Sequence, residues 1–265
     1  MQVESMDDDL RNSLWNVLVL GVFDSKSIKE TLFSTTDSIR IKRIFTLLWI
    51  HDFKNTYDSM PNHPRSMYDE LRKYFFSCKW YEVFDIIEAI LKYLENEDHL
   101  IMEINDVESW LNEMLERENS AYRFINGVAC EIIDSQAIEQ VVTALEDEDF
   151  PQVKTHLSRA LELMSDKQHP DYRNSIKESI SAVESIAILL SGKEKATLGD
   201  ALAEIERNDK IHPSLKKGFS CIYGYTSDDD GIRHALMEES NLEKTDAHLF
   251  FLLCTVFVNY LKTKF

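Results

Sequence analysis

The chain is short of the residues that interrupt helices. Seven glycines and five prolines in 265 residues leave few turns, and abundant Leu, Ile, Glu and Lys favour helix. Cysteine is sparse and scattered. Cys78, Cys130, Cys221 and Cys254 form no C-x-x-C, and three of them sit in apolar runs, where a free cysteine packs as a small hydrophobe. A disulfide or zinc framework is excluded, and a reducing compartment fits. The eight histidines show no H-E-x-x-H or H-x-H spacing, so neither a metal nor a cofactor is expected. No apolar run reaches the roughly 18 residues that span a bilayer. The acidic start, Met1 to Asp9, lacks a signal-peptide pattern. The expectation is a soluble, cytoplasmic protein without a membrane partner. Positive charge is also scarce: 29 Lys and Arg face 47 Asp and Glu, a net charge of −18. Long-range repulsion excludes a general nucleic-acid coat. A local RNA site stays open, with basic clusters at Arg40-Ile-Lys42-Arg43 and at Lys210 with Lys216-Lys217. The other reading of both clusters is a solvated helix face.

Helical periodicity fills most of the chain. Leu10, Leu14, Val17 and Leu18 follow the acids Asp7-Asp8-Asp9, which suit a helix N-terminus. Further helices are predicted over Ile39–Lys54, Ser66–Ser77, Trp80–Leu94 and Asp106–Glu118, with a break at Met60-Pro-Asn-His-Pro64. The strand signal is confined to Ala121–Ile125 and Val128–Ile133 around Asn126-Gly127, a pair suited to a type I′ hairpin turn. An isolated hairpin is marginal in water, so this one must pack on helices. Seven more helices are predicted: Gln136–Glu146, Val153–Ser165, Tyr172–Leu190, Leu198–Glu206, Pro213–Tyr223, Gly231–Glu239 and Lys244–Lys262. Pro170, Gly192, Pro213 and Gly224 punctuate them. The predicted fold class is all-α. Residues 1–134 form an N-terminal helical domain ending in a β-hairpin, and residues 135–265 form a helical bundle.

Several motifs carry a family resemblance. Tyr172-Arg-Asn-Ser-Ile-Lys-Glu-Ser-Ile, Leu198-Gly-Asp-Ala-Leu202, His212-Pro-x-Leu-Lys-Lys and the stretch from Tyr223 through Asp228-Asp-Asp-Gly-Ile-Arg233-His234 resemble a bacterial HEPN-like domain. Arg11-Asn-x-Leu-Trp15, Trp80-Tyr-Glu-Val-Phe-Asp and Asn119-Ser-Ala-Tyr-Arg-Phe-Ile-Asn-Gly127 resemble the fourth type of AbiJ N-terminal domain. Together they cover nearly the whole chain. The resemblance implies a bacterial abortive-infection (antiphage) protein. Its helical bundle would commonly homodimerise and, in active members, cleave RNA without metal through an R-x4–6-H motif. Many members have lost that motif and act as dimerisation or partner-binding modules, and both outcomes stay open here.

Metal-free RNA cleavage requires a proton acceptor for the 2′-OH, a proton donor for the leaving oxygen, and positive charge on the phosphate. The resemblance puts His234 at the histidine of the motif, as general acid or base. Thr226 and Ser227 stand where the motif arginine is expected. Arg233 is then the candidate phosphate contact. It points about 100° from His234 on a helix, so it could serve only if a second subunit completed the site. Its other reading is a pair with Asp228, Asp229 or Asp230 at a helix start. On Tyr172–Leu190, Ile176, Ile180, Val183, Ala187 and Leu190 make a core stripe. Arg173 and Glu184 fall about 60–80° from it, and Glu178 near 200°. Glu184 is the candidate carboxylate that orients Arg233 or His234, or else a structural partner, perhaps of Arg173. Glu178 reads as a solvated or dimer-facing acid. Tyr223 and Tyr225 are candidates for stacking a base, and Arg173 for a further substrate contact; ordinary packing is the other reading of the tyrosines. Because the 2′-OH is the nucleophile, DNA is not an expected substrate. Arg207-Asn-Asp-Lys-Ile-His212 is a literal R-x4-H, but a chain of this composition holds roughly one by chance. His212 before Pro213 reads as a turn. The N-terminal domain is expected to meet a protein partner or a phage trigger.

Overall fold

The computed structural model describes residues 1–23, 35–95, 102–132, 134–193, 195–208, 210–227 and 242–265. The chain divides into two compact units, Met1–Ile132 and Ile133–Phe265. Apart from one two-stranded hairpin, the described elements are helical, so the fold is all-α as expected. No described helix is long and apolar enough to cross a membrane.

The first unit runs through α1 (Asp8–Gly21), α2 (Thr35–Leu47), α3 (Pro64–Ser77), α4 (Trp80–Leu94) and α5 (Ile104–Arg117) to β1 (Arg123–Ile125) and β2 (Val128–Cys130). Asp7 opens α1 by accepting the amide of Leu10 at 2.9 Å, and Asp8 and Asp9 add charge favourable to its first turn. Buried Arg11, 9% exposed, reaches from α1 to the end of α3. Its guanidinium donates to the carbonyls of Phe75 and, at 3.1 Å, Cys78. A cation there answers the unpaired carbonyls that every helix C-terminus leaves. One turn on, Trp15 packs among Phe23, Tyr68, Phe75 and Phe76. The periodicity predicts α2 as far as Lys54. The regular helix instead ends at Leu47 and widens into a π-helical turn over Leu48–Asp52, closed by Lys54 at φ 55°.

The hairpin turns at Asn126 (φ 51°) and Gly127 (φ 77°), the two positive angles a type I′ turn needs. Its isolation is relieved by helix side chains. The Asn112 amide of α5 donates to the Phe124 carbonyl at 2.8 Å and accepts the Phe124 amide at 2.7 Å. Glu108 accepts both turn amides, at 3.1 and 2.6 Å, and Glu88 of α4 accepts the Ala129 amide at 2.8 Å. Phe124 and Ala129 face each other across the ribbon. They are the pair whose main-chain groups turn outward, and the side chains meet those groups.

The second unit contains α6 (Ser135–Glu146), α7 (Pro151–Ser165), α8 (Tyr172–Ser191), α9 (Leu198–Arg207), α10 (Pro213–Ser227) and α11 (Lys244–Lys262). Helix α8 is the centrepiece, packing against α7, α9 and α11. Its stripe Ile176, Ile180, Val183, Ala187 and Leu190 is buried, each aliphatic side chain other than the smaller alanine contributing roughly 1.5–3 kcal/mol. Asp171 caps its start through the Asn174 amide, and Gly192 at φ 67° ends it. Helix α11 buries Ala247, Phe251, Cys254, Val258 and Leu261, and burial pushes the Cys254 thiol up to about 12. Phe257 stacks on Phe219 of α10 with ring centroids 4.0 Å apart. Helix α10 continues through Gly224 to Ser227, past the stop predicted at Tyr223; one glycine weakens a helix without ending it.

Candidate functional site

Helix α8 positions the candidate groups of the second unit. Its inner face is closed to ligands: the hydroxyls of buried Ser175 and Ser179 donate to the carbonyls of Ala160 and Ser175, at 2.8 and 2.9 Å. Glu184 and Arg173 lie half-buried on the flank of the apolar stripe, as the helical angles predict. They do not pair. Eleven residues separate them, about 16 Å along the axis. Glu184 has no ion-pair partner among the described residues.

Tyr223 is half-buried in the last turns of α10. Tyr225, Thr226 and Ser227 complete that helix, and their side chains lie outside the described part. The junction expected from Tyr223 onward is thus helical to Ser227. Arg233 and His234, with Asp228 to Asp230 and the helix predicted over Gly231–Glu239, lie outside the described residues.

The R-x4-H decoy resolves into separate structural roles. Arg207 pairs with Glu204 at 2.5 Å. His212 precedes α10, and its Nδ1 accepts the Ser214 amide at 3.2 Å.

Two further groupings lie outside the expected site. Glu178, expected to be solvated or dimer-facing, instead meets His156 of α7. Nδ1 and Oε2 are 2.6 Å apart, and each side chain is about one-third exposed (34% and 32%). The pair spans the α7–α8 contact and fixes the imidazole against a carboxylate. The helical angle places Glu178 away from the α8 stripe correctly, but a neighbouring helix can reach that side. The second grouping lies on α9. The Glu204 carboxylate receives Lys193 at 2.6 Å as well as Arg207. The Lys193 hydrogen bond holds its carboxyl below the usual range, with the Arg207 charge adding to it. A cleft beside them is lined by Lys193, Lys195, Ala196, Asp200, Ala203 and Arg207. The doublet Lys193-Glu-Lys195 before the cap Thr197 is its sequence signal.

In the first unit a carboxyl and a hydroxyl perturb one another. Asp52 in the π-helical turn accepts the Tyr93 hydroxyl of α4 at 3.1 Å. Burial raises the Asp52 carboxyl, and burial with the nearby carboxylate pushes Tyr93 up to about 12. Among the described residues no three His, Cys, Asp or Glu side chains are gathered as metal ligands would be.

Comparison with known families gives a match to part of the chain. The sequence model described as AbiJ N-terminal domain 4 matches residues 1–147, which cover the first unit and α6. No curated protein and no solved structure matches the chain.

Proposed function

We propose, because this chain belongs to the AbiJ N-terminal domain 4 family of abortive-infection proteins, that its second unit is a HEPN-like, metal-independent endoribonuclease. The observation that carries this reading is Glu184, a half-buried carboxylate beside the core stripe of α8 with no ion-pair partner among the described residues. Such a group can orient a histidine or an arginine and favour its charged form. In this reading His234 moves the proton, Arg233 meets the phosphate, and Glu184 orients one of them. Tyr223 and Tyr225 stack the flanking base, and Arg173 adds a phosphate contact. Thr226 and Ser227 replace the usual arginine, so a second copy of the chain supplies the complementary half of the site. The first unit then meets the phage trigger or a partner.

The test is incubation of total RNA and EDTA with the wild-type chain, His234→Ala and Arg233→Ala. Cleavage should persist in EDTA and fall by about 10²–10⁴-fold without the histidine. Identical RNA patterns from all three proteins would sink the ribonuclease reading.

A second reading is a non-catalytic dimerisation or partner-binding module. It draws on α11, where Leu249 and Val256, 61% and 50% exposed, stand two turns apart on one face. Here Leu249→Asp should abolish self-association in sedimentation experiments while His234→Ala changes nothing.

A further inference from the structure

We propose that the α9 cleft lined by Lys193, Lys195, Ala196, Asp200, Ala203 and Arg207 holds the phosphodiester backbone of a single-stranded RNA. The proposal rests on the reading that this chain acts on RNA, and adds to it the surface that grips the strand.

Asp200, Ala203 and Arg207 recur at helical spacing, so they share one face of α9. Lys193 and Lys195 come from the loop that leads into that helix. Glu204 anchors the arrangement, with one carboxylate bonded to both Lys193 and Arg207. Its side chain is 16% exposed, against 54% for Lys193 and 68% for Arg207. Solvent therefore meets the cations, which outnumber their anchor by one. Lys195 is exposed and makes no ion pair among the described residues, so it adds a third cation. Asp200 keeps its full negative charge while its carboxylate accepts the Thr197 hydroxyl at 2.8 Å, so the three lining cations stand against Asp200 and the anchor Glu204, one positive charge in excess. Ala196 and Ala203 keep the floor low.

The wider charge pattern favours the same place. Lys193 to Lys217 holds six of the chain's 29 Lys and Arg against five acids, within a protein of net charge −18. A polyanion repelled by most of the surface is steered to such a region. Among the described residues no aromatic side chain lines the cleft. Base stacking is then absent, and binding is electrostatic and indifferent to sequence. Ribose is not read either. Single-stranded DNA should bind this cleft as RNA does, and the distinction between them falls to the 2′-OH in the chemical step.

The test uses the full chain and fluorescein-labelled single strands of about 12 nucleotides, RNA and DNA of one sequence. Anisotropy is read between about 50 and 200 mM salt. Lys195→Glu should weaken both strands at least ~10-fold and flatten the salt dependence by about 0.7 in slope for each phosphate no longer neutralised. Exposed Lys154→Glu on α7 should leave binding unchanged. Undiminished binding by Lys195→Glu overturns the proposal, as does RNA binding without DNA binding. Tighter binding of polyglutamate than of RNA at equal charge also overturns it. Cleavage in EDTA is scored separately on the same proteins. Weakened binding in Lys195→Glu with no cleavage by wild type supports the cleft and sinks the ribonuclease. Undiminished binding with His234-dependent cleavage overturns the cleft and leaves the ribonuclease standing.

Discussion

Single side chains in this protein hold main-chain groups that helices and strands leave over. Asn112 answers both the amide and the carbonyl of Phe124. Asn112→Ala should therefore cost about 2–4 kcal/mol, since two polar groups lose their partner at a buried position; urea denaturation measures it, and a loss under ~1 kcal/mol would show that water replaces the amide without penalty. Asp147 gives a pH-dependent counterpart. Burial alone would raise its carboxyl, but the Lys262 hydrogen bond at 3.0 Å and the Asp149 amide outweigh it, and the carboxyl lies below its usual value. A folded value below the unfolded one means stability present above the unfolded pKa and lost as pH falls through the folded one. The stability gap between wild type and Asp147→Asn should be full above about pH 5 and shrink progressively as the pH falls from about 4 through the lower folded value. A gap independent of pH refutes the assignment. Neither pairing is legible from sequence, because Asn112 and Phe124, or Asp147 and Lys262, meet only once helices have packed.

Whole elements are easier to read. Trp80–Leu94 and Lys244–Lys262 form with the predicted bounds, because dense apolar spacing coincides with helix-starting chemistry at each first turn. Asn126-Gly127 fixes the hairpin turn for a similarly local reason. Reading fails where the local signal is weak or the partner remote. Gly224 resembles a stop but lies within α10, and Glu178 finds His156 on a neighbouring helix. For the candidate site, the helical angles place Glu184 and Arg173 correctly on the flank of the stripe but cannot show Glu204 gathering two cations. Glycines permit a signed test of element logic. Gly192→Ala places a side chain at φ 67° and should cost about 1 kcal/mol. Gly218→Ala, in open space within α10, should stabilise by up to about 1 kcal/mol. Equal signs in thermal melts contradict the helix description at one of the two positions.

At the scale of the molecule, two units carry separate cores, and separate cores are what allow separate unfolding. The four tryptophans, Trp15, Trp49, Trp80 and Trp110, all belong to the first unit. Tryptophan fluorescence therefore reports that unit alone, while far-ultraviolet circular dichroism reports both. Gly192→Ala should move the dichroism transition and leave the fluorescence midpoint in place; a fluorescence midpoint that shifts equally shows the units unfolding as one. The hairpin has a consequence for molecules in company. A two-stranded ribbon has two edges, and an open edge is a template on which another chain can add a strand. Asn112 occupies one edge at Phe124 and Glu88 the other at Ala129, so the ribbon is closed to recruitment on both sides. The side chains that hold it in its own fold also keep it from seeding aggregation with its neighbours.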